Sequence, residues 1–128
     1  MGKTIAEKIL SMKSGVDARA NDIVIADLDF VMGQDGTSPL AIQAFTEMGG
    51  PRVFDPRRVA MFIDHSAPSP LEGVSALHKK MRDFADRFGV MLYDIGEGVC
   101  HQLVPEKGHV APGTLVIGAD SHTCTYGA

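Results

Sequence analysis

Two short stretches carry most of the reactive side chains in this sequence. Asp64-His65 directly follows the apolar run Val59–Ile63, and Asp120-Ser121-His122 follows the apolar run Thr114–Ile117. An aspartate beside a histidine suits proton transfer, because the carboxylate orients the imidazole, stabilises its charged form and keeps its pKa near neutrality. A third group, His101-Gln102, opens a short segment after residues 90–93 and the glycines Gly96 and Gly98. Taken singly, an Asp-His pair after a strand reads as a turn or a helix cap. A lone histidine reads as a surface or satisfied core residue. Two such pairs at equivalent places in the chain point instead to one shared site.

The spacing discriminates among chemistries. In an extended backbone Asp120 and His122 project to the same side and Ser121 points away. That weakens a Ser-His-Asp hydrolase, whose serine must face its histidine. A zinc-dependent hydrolase using His65, His101 and His122 stays open, since histidines with a carboxylate are ordinary zinc ligands, although no tight H-x-x-x-H spacing supports it. A non-catalytic α/β module that binds small carboxylates or a partner subunit is the third reading. The remaining candidates keep structural roles. His78 is read as a solvated residue beside an apolar stripe, His109 as loop, Cys100 as a small buried residue and Cys124 as an ordinary thiol near the site.

The elements that must position these groups alternate in type. Ile5, Ile9 and Met12 recur at helical spacing in a segment ending near Gly15, and Ile23–Ala26 has the composition of a brief buried strand. Residues 39–48 read as a helix with Pro39 in its first turn and Gly49-Gly50 at its end. Val59–Ile63 suits a strand covered on both faces. Val74, Leu77, Met81, Phe84, Ala85 and Phe88 mark one stripe of a helix over 74–88 stopped by Gly89, and Val90–Tyr93 and Thr114–Ile117 are further strands. The expected fold is α/β, with a largely parallel sheet flanked by helices in a single unit over 1–128. Both Asp/His groups then fall at carboxyl ends of strands, where open α/β sheets bind ligands.

Bulk properties narrow the partners. With 128 residues, 45% hydrophobic and 22% charged, the composition is that of a globular domain with a real core. A formal charge of −4 with scattered lysines and arginines argues against nucleic acid. No apolar stretch approaches the roughly 20 residues of a membrane helix, and the start MGKTIAEKIL lacks a signal core. The two cysteines form no C-x-x-C pair and read as reduced thiols of a cytoplasmic protein.

Four segments, "MGQDGTSP", "FIDHSAPSP", "GVCHQLVPEKGHVAPG" and "GADSHTCTYGA", resemble the N-terminal region of the aconitase superfamily and occur in the family's order. The likeness covers nearly the whole chain and leans toward the 3-isopropylmalate dehydratase and homoaconitase-type large subunits. It implies the first part of an aconitase-type iron–sulfur domain. The implied activity is a hydro-lyase of the leucine-biosynthesis type, dehydrating and rehydrating a small hydroxy-carboxylic acid on a 4Fe-4S cluster with one Lewis-acidic iron. By motif, His65 would be the acid that protonates the departing hydroxyl, with Asp64 as its partner, and His101 with Asp120 a second pair. Ser121 and His122 would line the pocket, and Gln34 would contact substrate. The resemblance places the three cluster cysteines downstream of these motifs and the swivelling domain in a small partner subunit. This stretch by itself is then expected to hold no cluster and to be inactive.

Overall fold

The computed structural model describes residues 2–128. Helix α1 (Ile5–Ser14) begins at a capping box: Thr4 Oγ1 accepts from the Glu7 amide while the Glu7 carboxylate accepts from the Thr4 amide. It ends where Gly15 adopts a left-handed φ of 72°, which a glycine takes without a Cβ clash. The other helices are α2 (Ser38–Glu47), α3 (Glu72–Phe88) and α4 (Cys100–Glu106), with short 3₁₀ turns at Pro56–Arg58 and Thr123–Gly127.

Strands β1 (Phe30–Gln34), β2 (Val59–Phe62), β3 (Met91–Tyr93) and β4 (Val116–Gly118) form one all-parallel sheet in the order β3-β2-β1-β4. The α/β class with a parallel sheet, expected from the alternating patterns, is what forms. Alternate residues of the central strands feed two cores. Phe30, Met32, Ala60 and Phe62 pack against Cys100, Leu103 and Val104 of α4 on one face. Met61 and Ile63 pack against Ile42 of α2 and Met81, Phe84 and Ala85 of α3 on the other. Each such large apolar side chain, once buried, stabilises the fold by about 1.5–3 kcal/mol. These two layers of helix hold the sheet between them and fix where its carboxyl edge points.

Three sequence expectations need correction. Residues 23–26 form no strand, and Ile23 and Ile25 are fully exposed. The central strand is instead Phe30–Gln34, whose Gly33 leaves room for the Ser38 side chain at the start of α2. The last strand lies at Val116–Gly118 rather than Thr114–Ile117. His78 is not solvated: it is 1% exposed, among the most buried side chains of α3.

The strand order decides where ligands can sit. The chain runs outward from β1 to β2 to β3, then returns to the far side of β1 for β4. The β1/β4 boundary is therefore the point where strand order reverses, and the crevice outside the carboxyl ends there is the usual binding site of such sheets.

Candidate active site

Every candidate residue singled out in the sequence is placed on this edge. Gln34 ends β1, Asp64 and His65 follow β2, His101 sits in the first turn of α4, and Asp120, Ser121 and His122 follow β4. Asp120 is the hub. Its carboxylate lies 3.4 Å from His65 Nε2, 3.0 Å from His101 Nε2 and 3.6 Å from His122 Nδ1. Gln34 Nε2 donates to Asp120 Oδ2 over 3.2 Å, and the His122 amide donates to Asp120 Oδ1 over 2.7 Å. Those two donors hold the carboxyl below its usual range. The His122 amide is the larger influence, and it outweighs a burial that would raise the value.

His65 is held from its outer side. Its Nδ1 meets Asp64 Oδ1 at 2.7 Å, and a carboxylate can only accept, so that nitrogen carries the proton. The same hydrogen bond raises the histidine's pKa above its ordinary value, ahead of the opposing cost of burial. Asp64 Oδ2 also accepts from the Cys100 amide over 2.6 Å, which ties the end of β2 to the start of α4. Asp64 thereby orients His65 and anchors the element that carries His101. His101 Nδ1 in turn meets the Tyr126 hydroxyl at 3.1 Å.

Beneath the site lies a pair that sequence patterns did not mark as functional. Asp35, 3% exposed, accepts from the amides of His65 at 2.9 Å and Ser66 at 2.8 Å, and from His78 Nε2 at 3.0 Å. Burial alone would raise the Asp35 pKa and is the largest single influence. The Ser66 amide, the His65 amide and His78 together outweigh it, so the net direction is down. Asp35 thus pins the turn that presents His65. In the sequence it lies in "MGQDGTSP", one of the segments that carry the family resemblance, but no role attached to it there.

The Asp120-Ser121-His122 stretch is a turn rather than extended backbone, and Ser121 Oγ does reach His122 Nδ1 at 3.2 Å. The expectation that the serine points away is corrected. A hydrolase relay still does not form, because serine and aspartate crowd the same ring nitrogen, whereas a triad uses the two nitrogens separately. His122 is also the most open of the three histidines, with 72% of its side chain exposed.

A cubane cluster needs thiolate ligands, and the residues present do not supply them. Cys100 is fully buried, and burial followed by the neighbouring Asp64 pushes its thiol pKa up to about 12, so it stays protonated. Cys124 alone, exposed, cannot hold a cluster.

The family profile described as "Aconitase family (aconitate hydratase)" matches residues 7–128. The chain belongs to the aconitase family. Its relatives within the family include the 3-isopropylmalate dehydratase large subunit 1 of Methanopyrus kandleri, 52% identical over the whole of this chain. The 3-isopropylmalate dehydratase large subunit of Methanoregula boonei is 54% identical over the same span, and large subunit 1 of Thermotoga maritima is 50% identical over 99% of it. The chain spans only 31%, 31% and 30% of those three aconitase-family proteins. Among the described residues no helix is long and apolar enough to cross a membrane.

Proposed function

We propose that this chain forms the amino-terminal lobe of the active site in a hydro-lyase large subunit of the 3-isopropylmalate dehydratase type. The reaction is the reversible loss and return of water on a small hydroxy-di- or tricarboxylic acid, in a cytoplasmic enzyme completed by a small subunit. The observation that carries this reading is the pose of His65. Its Nδ1 is clamped by Asp64 and its Nε2 projects toward Asp120 and His101 at the sheet's reversal point.

In that pose His65 is a general acid. The Asp64 hydrogen bond raises its pKa and so favours the protonated ring that an acid needs. The Nε2 proton passes to the substrate hydroxyl as its carbon–oxygen bond breaks, the bonding electrons leave with oxygen, and water departs. The proton on the adjacent carbon goes to a base outside these residues. In the reverse direction water returns its proton to His65. His101 and Asp120 flank the departing water, Gln34 fixes Asp120, and Ser121 and His122 form the outer wall. The 4Fe-4S cluster of the family supplies a Lewis-acidic iron, and its thiolates belong to parts of the enzyme beyond these residues.

The test uses the complete large subunit with its small subunit, assayed with 3-isopropylmalate. His65→Ala lowers kcat by on the order of 10²-fold or more. Lys79→Ala, on the exposed face of α3, leaves kcat unchanged. Equal losses at both positions, or full activity without His65, would refute the assignment.

A further inference from the structure

His65, His101 and Asp120 each offer one ligand atom, and these atoms all lie within 4.8 Å of one another. The inner nitrogen of each ring, Nε2, is the one facing Asp120, while the outer nitrogen, Nδ1, is engaged by Asp64 for His65 and by Tyr126 for His101. Histidines that ligate metals are held in this way, by a carboxylate or another polar group on the nitrogen that does not ligate. Asp120 is itself braced by Gln34 and the His122 amide, as ligating carboxylates are.

One atom stands out. His101 Nε2 is buried and has no hydrogen-bond partner, although it lies 3.0 Å from Asp120 Oδ1. The approach is close enough for a hydrogen bond but lies off its direction. Spacing gives a reason: ligand atoms bound tetrahedrally about 2.1 Å from zinc stand about 3.4 Å from each other. His65 Nε2 stands 3.4 Å from Asp120 Oδ2 and His101 Nε2 stands 3.0 Å from Asp120 Oδ1, so each ring faces its own oxygen of the one carboxylate at about that spacing. Asp35 and Asp64 add negative charge around the pocket, and His65 is 38% exposed, so solvent reaches its ring. The neighbouring set Asp64, His65 and Cys100 is a poorer site, because Asp64 already occupies the ring nitrogen of His65 and Cys100 is a protonated thiol.

We infer that His65, His101 and Asp120 bind one divalent first-row cation, zinc foremost, through two imidazole nitrogens and the Asp120 carboxylate. This mixed nitrogen and oxygen set suits zinc and cobalt(II). Binding needs no turnover, so its failure leaves the hydro-lyase reading standing, and the kinetic failure of His65→Ala leaves this one standing.

The chelator-treated 128-residue chain is titrated with Co²⁺, read by the visible d–d bands of a low-coordinate site and then by their loss on adding Zn²⁺. One Co²⁺ per chain is expected. His101→Ala and Asp120→Asn abolish the bands, Tyr126→Phe weakens binding on the order of 10–100-fold as an outer partner does, and His122→Ala and Cys124→Ser leave it unchanged. A second measurement needs no variant: Zn²⁺ shields His65 and His101, but not His122, from diethylpyrocarbonate, read by peptide mass spectrometry. Absent Co²⁺ bands, bands that persist in His101→Ala and Asp120→Asn, or equal labelling of all three histidines with and without zinc would overturn the inference.

Discussion

His78 Nε2 and Asp35 Oδ2 meet at 3.0 Å across 43 residues of chain, with each side chain 1% exposed. A pair so fully removed from water is expensive to break, because the partner left behind keeps its desolvation cost without its hydrogen bond. His78→Leu, which keeps apolar volume in the α3 core, is expected to destabilise the chain by about 1.5–3 kcal/mol, the scale of a hydrogen bond to a charged group. Urea unfolding at neutral pH measures it. A loss below about 0.5 kcal/mol, the range of ordinary surface changes, would return His78 to a passive role.

The same carboxylate sets the acid behaviour. Asp35 has its folded pKa below the ordinary unfolded value of roughly 3.9. Its contribution is complete above that unfolded value and is lost as pH falls through the lowered folded one. Asp120, held low first by the His122 amide, acts in the same direction. Stability should therefore drop as pH is lowered from about 5 toward 2, through the unfolded carboxylate range, and Asp35→Asn should flatten that drop while costing stability at pH 6. Parallel urea midpoints for the two proteins across this range would exclude Asp35 as a source.

The two thiols should react very differently. Cys100 is fully buried among Phe62, Leu103 and Val104, with its pKa pushed up to about 12, whereas Cys124 is exposed. Only the thiolate is nucleophilic. Iodoacetamide at mildly alkaline pH should alkylate Cys124 and spare Cys100 until urea unfolds the chain, and tryptic mass spectrometry reads both sites. Comparable labelling of both in the folded protein would show that the α4 face of the sheet opens readily.

Much of the site was legible because its positions are dictated by strand ends. Val59–Ile63 is apolar without interruption, as a strand covered on both faces must be, so Asp64 and His65 had to emerge at its carboxyl end. The same reasoning located Asp120 within a residue or two. Strand β1 was harder. Ile23 and Ile25 carry the stronger β-forming side chains yet find no neighbouring strand, while Phe30–Gln34 contains a glycine and ends in a polar glutamine. Its placement follows from pairing with β2 and β4 on either side, a long-range fact that no local pattern encodes. Asp35 and His78 stayed hidden for a related reason. Each is polar and reads as exposed, and only their meeting makes burial tolerable.

The pairing of β1 with β4 joins residues 86 positions apart, Phe30 against Val116. Strands β1, β2 and β3 can pair with one another before that closure, so the sheet can largely exist while the pocket does not. Asp120 arrives only with β4, and without it His65 and His101 have no carboxylate between them. Closing so long a loop carries an entropy cost that local contacts do not share. Assembly of the His65–His101–Asp120 cluster is gated by completion of the chain's own architecture, and a nascent or partly opened molecule carries its histidines apart from that carboxylate.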